Sequence, residues 1–280
     1  MMTQSDVVLH RGNSIVQYGH FNNRVYVMTL AHEDIPDIIW FAEDISSKEG
    51  YSKIFVKVPE SSTELFTRAG YITEATVPLF YNGEETGMFM AKYSDPGRKE
   101  VIDTPILEDV LTGAMSHAGK KKTHVLPDGF TLRCAIQEDA GDIAALFHVV
   151  FATYPFPISN PDYIRQSMNG HVRYFVIKKG DMLAAVASCE IDVKNRTVEM
   201  TDFATDPLFR GHGFAGILLN AMENEMRKER LILAYTIARS ISLPMNSTFA
   251  SAGYLFGGML PNNTNISGSM ESMNVWYKRL

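Results

Sequence analysis

Gly211, Gly213 and Gly216 crowd into Asp206-Pro207-Leu208-Phe209-Arg210-Gly211-His212-Gly213-Phe214-Ala215-Gly216. Residues without a Cβ let backbone N–H groups come close to a ligand. Just before this stretch, Thr197 to Ala204 alternates as a strand does; just after it, Phe214, Ile217, Leu218, Ala221, Met222 and Met226 recur at helical spacing. The glycines therefore sit where a strand turns into a helix, and the amino end of a helix favours anions. A diphosphate suits that geometry. Arg210 adds a cation, and His212 reads either as a phosphate contact or as a solvent-facing loop residue. A dinucleotide fold wants G-x-G-x-x-G with a later acidic residue, and a P-loop ends in G-K-[ST]; neither pattern is met here. Upstream on the strand stand Glu199 and Asp202, and Glu190 and Asp192 lie on the preceding predicted strand. A carboxylate beside a cationic amine can take its proton or hold its charge. On an ideal strand Glu199 and Asp202 face opposite sides.

The elements that must position these groups follow in order. Strands are expected at Val7–Leu9, Ser14–Val16, Arg24–Leu30 and Tyr51–Val58, with an amphipathic helix after Asp34 and a short one around Leu65, Phe66 and Ala69. Ile72–Tyr81 and Thr86–Tyr93 flank Asn82-Gly83 as a hairpin, and Thr104–Met115 reads as a helix. The glycine-led run Gly119-Lys120-Lys121-Lys122 reads as a solvated linker, which divides the chain into a mixed α/β domain over 1–125 and a second domain over 126–280. The second domain starts with strand Phe130–Cys134 and a helix from Ile143 to Phe151. The proline-stiffened loop Tyr154–Pro161 and a short helix come next, then strands Arg173–Lys178 and Met182–Asp192. After the glycine loop and its helix come strand Leu231–Ala238, helix Ser247–Ala252, and strands Leu255–Leu260 and Met273–Lys278 around a polar loop, Pro261–Glu271.

Composition narrows the classes. The 280 residues are 45% hydrophobic and 21% charged, as in a soluble globular protein. A net charge of −6 argues against nucleic acid as the main partner. No apolar run spans a bilayer, no signal-peptide pattern opens the chain, and a cytoplasmic protein without a membrane partner is expected. Cys134 and Cys189 fall in apolar runs and read as buried, reduced thiols. No cysteine and histidine spacing fits zinc, so no metal is expected.

Strand, Asp206-Pro207, Arg210-Gly211-His212-Gly213-Phe214-Ala215 and helix, in that order, resemble the acetyl-CoA loop of the GNAT N-acetyltransferases. The element order over 130–280 is similar to the GNAT fold as well. The implied fold class is α/β (α+β), a central mixed, mostly antiparallel sheet flanked by helices. The resemblance implies acetyl-CoA as co-substrate, held on its diphosphate by Arg210, Gly211, His212, Gly213, Phe214, Ala215 and Gly216, and on its pantetheine by backbone of Phe203, Ala204 and Thr205. It implies Glu199 as general base, at the spacing found in the histone acetyltransferase branch, with Asp202 as runner-up. Ser242 stands where the family commonly has asparagine, so Asn246, a turn further on, joins the cofactor-binding candidates. The family's tyrosine acid is replaced by Phe249, which leaves Tyr254, Tyr235 or water.

Phe66-Thr67-Arg68-Ala69-Gly70-Tyr71 parallels Phe249-Ala250-Ser251-Ala252-Gly253-Tyr254. Either these motifs end two unrelated helices, or the first domain is a degenerate partial GNAT repeat without a diphosphate cradle that supports or covers the acceptor site. The runs Tyr154–Pro157, Met245–Phe249, Asn262–Gly268 and Glu271–Lys278 look like those of the β-lysine N-acetyltransferases. That resemblance implies acetylation of the ε-amine of β-lysine to N6-acetyl-β-lysine, a compatible solute, with lysine 2,3-aminomutase as pathway partner. It leaves a homodimer open, and a polyamine, lysine or protein lysine as alternative acceptors, or a non-catalytic acyl-CoA-binding regulator. Glu190, Asp192, Glu199, Asp202 and Glu271 could meet the ammoniums of a diamino acid, and Arg133, Arg173 or Arg239 its carboxylate. Asn262, Asn263 and Asn265 read either as site-lining or as turn residues.

Overall fold

A computed structural model describes residues 6–120 and 125–280, so Lys121 and Lys122 of the expected linker lie outside the described residues. The first half carries β1 (Val7–Arg11), β2 (Ser14–Gly19), β3 (Arg24–Thr29), α1 (Asp37–Glu49), β4 (Lys53–Pro59), α2 (Thr63–Arg68), β5 (Ile72–Tyr81), β6 (Glu85–Tyr93) and α3 (Thr104–Met115). The second carries β7 (Phe130–Cys134), α4 (Ala140–Val150), α5 (Pro161–Met168), β8 (Val172–Lys179), β9 (Met182–Asp192) and β10 (Thr197–Thr205). It continues through α6 (Phe214–Lys228), β11 (Leu233–Arg239), α7 (Leu243–Ser251), β12 (Leu255–Ile266) and β13 (Ser269–Arg279).

Among the described residues, all the strands join one 13-stranded sheet in the order β1-β2-β3-β4-β6-β5-β12-β13-β11-β10-β9-β8-β7. β3 runs parallel to β4, and β10 parallel to β11; their other neighbours are antiparallel. The series β2-β3-β4-β6-β5 thus repeats β9-β10-β11-β13-β12, and in each series a helix links the parallel pair. The paired F-x-x-A-G-Y motifs fall at equivalent places. Tyr71 N–H donates to the Phe66 carbonyl at 3.0 Å, and Tyr254 N–H to the Phe249 carbonyl at 3.1 Å. With glycine bonds three residues back, both helices end in the same Schellman geometry. The rings of Phe66 and Tyr71 meet edge-on at 5.3 Å, and those of Phe249 and Tyr254 at 5.1 Å.

The core follows from periodicity. Ala184-Ala185-Val186-Ala187 on β9 is buried throughout, as befits a strand covered on both faces. Phe214, Ile217, Leu218, Met222 and Met226 of α6 cover one face with Ala185 and Cys189. Ile143, Ala144 and Phe147 of α4 cover the other with Val186 and Ala204. Each such large side chain contributes about 1.5–3 kcal/mol when fully buried. α3 packs on α7, with Ala114 inside the second half's core.

The halves join edge to edge where Gly258 of β12 pairs with Ala75 of β5. A Cβ on Gly258 would lie 2.3 Å from the Glu74 carbonyl oxygen, so a glycine is required for this approach. Two expectations need correction. The tail is no loop at Pro261–Glu271: β12 and β13 extend through it to a turn at Ser267-Gly268. Its asparagines find partners in the first half, since Asn262 Nδ2 donates to the carbonyls of Arg98 and Glu100, and Asn265 Nδ2 to that of Phe21. Cys189 is buried but Cys134, on the edge strand β7, is exposed.

Candidate active site

β10 and β11 pair only from Thr197–Glu199 to Leu233–Tyr235. Beyond Glu199, β10 stays with β9 while β11 follows β13, so the parallel strands part and leave backbone groups of β10 open on one side. Phe203, Ala204 and Thr205 lie on this parted segment. A bulge between Thr201 and Ala204 interrupts the β9 register, and Asp202 there has φ of +54°. This overturns the ideal alternation: Asp202 shares one cavity with Glu199 instead of facing the other way. Ser188 Oγ donates to Asp202 Oδ2 at 2.6 Å, and the Tyr154 hydroxyl donates to Oδ1.

Past the end of β10, the Asp206 carboxylate accepts the Leu208 N–H at 2.8 Å and holds the turn. Gly211 and Gly213 have φ of +85° and +73°, and Gly213 caps α6. The Gly213 carbonyl takes the N–H groups of Gly216 and Ile217 at 3.1 and 3.2 Å. Among the described residues, the N–H groups of Gly211, His212, Gly213, Phe214 and Ala215 have no protein acceptor. Such amides at the start of a 15-residue helix fit a diphosphate. Arg210 is exposed beside them. His212 is turned back on its own loop, with Nδ1 3.0 Å from the Phe209 carbonyl oxygen and its ring stacked on Phe214 at 5.3 Å.

Between the halves lies a cavity of about 710 Å³. Glu190, Glu199, Asp202, Phe203 and Tyr235 form one wall, and Arg24, Tyr26, Phe55, Lys57 and Phe80 of the first half form the other. Lys57 Nζ donates to the Tyr235 hydroxyl at 3.1 Å and stands 5.7 Å from the Tyr26 ring centroid and 5.9 Å from that of Phe80. Burial raises the Glu199 pKa, while Lys57 and a hydrogen bond from Tyr235 hold it down. Glu190 is pushed up to about 8 by burial and by the charges of Glu199 and Asp202. Burial also raises Asp202, against the bonds from Ser188 and Tyr154. Burial opposes the charge on Lys57, but Tyr26, Glu199 and Glu190 outweigh it and its pKa stays above the usual lysine value. Burial drives the Tyr235 pKa well upward, so the hydroxyl keeps its proton. Lys57 and Tyr26 were absent from the sequence-based candidates. The available signal was Lys53-Ile54-Phe55-Val56-Lys57-Val58, a strand whose lysines and Phe55 share one face.

Other expected residues have different occupations. Asn246 is fully buried: its Nδ2 donates to the carbonyls of Arg239 and Ser242 at 2.9 and 2.8 Å, and its Oδ1 accepts from Asn274 Nδ2 and Trp276 Nε1 at 2.9 and 2.8 Å. Its amide ties β11, α7 and β13 together, with no group left for a cofactor. Tyr254 is buried in the α6 core, away from the cavity, so of the two tyrosines only Tyr235 is on its wall. Phe249 lies on that wall, edge-on to Phe203 at 5.6 Å. Arg133 pairs bidentately with Asp139, and Arg173 pairs with Glu229, both off the cavity. Arg239 reaches the cavity but is held by Glu271 at 2.7 and 2.6 Å.

The model of the Acetyltransferase (GNAT) family matches residues 143–249. Beta-lysine N(6)-acetyltransferase of Methanococcus maripaludis is 37% identical over 97% of this chain and 98% of its own length. The chain belongs to the GNAT acetyltransferase family. Beta-lysine N(6)-acetyltransferase of Methanosarcina mazei is 31% identical over 84% of this chain and 94% of its own. Among solved structures, spermidine N-acetyltransferase from Vibrio cholerae in complex with CoA and spermine is 19% identical, with a TM-score of 0.47, over 55% of this chain and 96% of that one. The matched GNAT segment contains Glu190, Glu199, Asp202, the glycine loop and Tyr235, whereas Arg24, Tyr26 and Lys57 come from outside it. Among the described residues no helix of this GNAT protein is long and apolar enough to cross a membrane.

Proposed function

We propose that this GNAT enzyme transfers the acetyl group of acetyl-CoA to the ε-amine of β-lysine, giving N6-acetyl-β-lysine. The observation that carries the reading is the cavity of about 710 Å³, with Glu190, Glu199 and Asp202 on its wall, at the point where β10 and β11 part. A dication is drawn to such a site, and the full-length similarity to two beta-lysine N(6)-acetyltransferases supports this particular diamino acid.

In this reading the amides of Gly211–Ala215 bind the diphosphate. The open edge of β10 at Phe203–Thr205 lines the pantetheine and supplies N–H groups to the thioester oxygen. Glu199 takes the ε-ammonium proton, directly or through water. The freed nitrogen then attacks the thioester carbonyl carbon, a C–N bond forms, and the carbonyl electrons move to oxygen. As they return, the C–S bond breaks, the sulfur leaves with its electron pair, and the nitrogen gives its surplus proton to water, from which the acid that protonates the sulfur is restored. A thiol titrates at about 8.5, so the leaving thiolate needs only a weak acid; Tyr235, kept neutral by burial, is the donor at hand. Glu190 and Asp202 answer the second ammonium.

The segment 1–125 acts as a degenerate GNAT copy. In place of the glycine loop it carries His32-Glu33-Asp34, and Asp34 accepts from the Asn13 and Ser14 N–H groups at 2.9 and 2.7 Å. That half forms a wall of the acceptor site and 126–280 binds the co-substrate. Lysine 2,3-aminomutase would supply the acceptor in the cytoplasm, and the product would serve as a compatible solute. Thiol release from acetyl-CoA, measured with β-lysine, lysine and spermidine, tests the reading. The expected order places β-lysine first; preference for spermidine removes the acceptor assignment, and release with none of them removes the enzymatic one.

A further inference from the structure

Among the described residues, the cavity holds a buried positive charge that no carboxylate pairs with. Arg24, on β3, is 4% exposed and forms part of the cavity wall. Its N–H groups meet neutral acceptors: the Asn263 carbonyl at 2.7 Å, and Thr264 Oγ1 and Gln17 Oε1 at 3.5 Å. Asp6 and Glu74 favour its charge from further away, but both are engaged elsewhere. Asp6 binds the N–H groups of Phe21 and Asn22 and Asn22 Nδ2; Glu74 pairs with Lys53 at 2.9 Å and accepts from Tyr93. Among the described residues no carboxylate stands within ion-pair distance of Arg24. Burial lowers its pKa to about 10, so it is still a cation at neutral pH. The Tyr26 ring, 4.9 Å away, fixes the guanidinium plane. A buried guanidinium without an anion is costly unless something completes it.

We infer that Arg24 receives the carboxylate of the acceptor, which makes this enzyme selective for amino acids over polyamines. The inference rests on the acetyl-transfer reading above. Two other cations of the wall are already matched, the part-exposed Arg239 by Glu271 and Lys57 by Glu199 and Glu190, while Lys194 is exposed to solvent. The placement also suits a diamino acid. Arg24 and Tyr26 share one face of β3, with the guanidinium 4.9 Å from the Tyr26 ring centroid. Tyr26 interacts with both Lys57 and Glu199, so the base lies at its end of the cavity. A diamino acid in this cavity can therefore set its ε-nitrogen toward Glu199 and its carboxylate toward Arg24. A polyamine offers Arg24 nothing and leaves it unpaired, a penalty that works as discrimination.

The test compares β-lysine with the diamine left when its carboxylate is removed, on wild type, Arg24→Met and Arg24→Lys. Wild type should favour β-lysine in kcat/KM by about 10- to 100-fold, the range of a charge-assisted contact. Arg24→Met should lose more on β-lysine than on the diamine, by that factor, so that the preference disappears; Arg24→Lys should recover part of it. Equal losses on both amines, as expected if Arg24 merely tethers Asn263, overturn the inference, and so does a preference that survives in Arg24→Met. If wild type acetylates neither amine, the acetyl-transfer reading fails, and calorimetry decides the inference by itself. Tighter β-lysine binding to wild type than to Arg24→Met upholds it, and equal binding refutes it.

Discussion

Replacing Lys57 by methionine removes the cation that stands against the carboxylates while keeping most of its bulk inside the ring of Tyr26, Phe80 and Tyr235. Lys57 Nζ is 3.1 Å from the Tyr235 hydroxyl. One further hydrogen bond of about 2.7 Å to Glu199 limits the charge separation to roughly 6 Å. At an effective dielectric of about 20, unit charges ~6 Å apart attract by ~2.8 kcal/mol. At about 1.4 kcal/mol per pKa unit this is ~2 units. The sign follows from the site: burial already raises Glu199 and Lys57 opposes the rise, so its loss sends the carboxylate higher still. The base then sheds its proton only at more alkaline pH, and turnover near neutrality falls by up to ~100-fold. Steady-state kcat/KM against pH, followed by thiol release, reads the shift as an alkaline displacement of the acid limb. That limb belongs to Glu190 and Glu199 together, since their charges interact. Lys57→Arg should leave it in place. A limb in Lys57→Met that stays within about half a unit of wild type, or that moves to lower pH, refutes the argument that the first half sets the ionisation of the base.

Glu199→Gln should lower kcat by about 10²- to 10⁴-fold and reduce the acid limb to what Glu190 alone contributes; a near-normal profile transfers the base role to Asp202 or water. Gly213→Ala forces a side chain into a left-handed conformation, at a cost of roughly 1–2 kcal/mol, and should raise the KM for acetyl-CoA about tenfold with the acceptor KM unchanged. Asn246→Ala strands the donors of Asn274 and Trp276 and should cost about 3 kcal/mol in urea unfolding, without a change in acetyl-CoA affinity in the folded protein.

The glycine loop and its helix were readable because the signal is local: a strand, Asp206-Pro207, spaced glycines, then apolar residues at helical spacing. The paired helix endings were readable for a related reason, since F-x-x-A-G-Y encodes a complete helix ending within six residues. Asp202 was assigned to the wrong face because its direction depends on a bulge held by Ser188 and Tyr154, from a neighbouring strand and a remote loop. Lys57 matters only after β4 faces β11 across the cavity, a relation between segments nearly 180 residues apart. The stretch Pro261–Glu271 was misread because asparagine, proline and glycine are poor strand formers. What keeps it extended is long-range bonding, with Arg98 Nε donating to the Asn262 carbonyl at 2.8 Å and Arg24 to that of Asn263. Asn246 looked like a ligand-binding group until its protein partners were in view.

The Gly258–Ala75 seam bears on how the chain can be cut. Among the described residues, β1 and β7 are the outermost ribbons of the intact sheet. Severing the protein between its halves would bare two more, β5 and β12, each with unpaired amides facing water. Bare ribbons seek any matching strand, including one from a sister fragment. A trimmed GNAT half is therefore expected to clump or to swap strands instead of behaving as a smaller enzyme, and covering β12 is a service the first half performs whatever it contributes to catalysis.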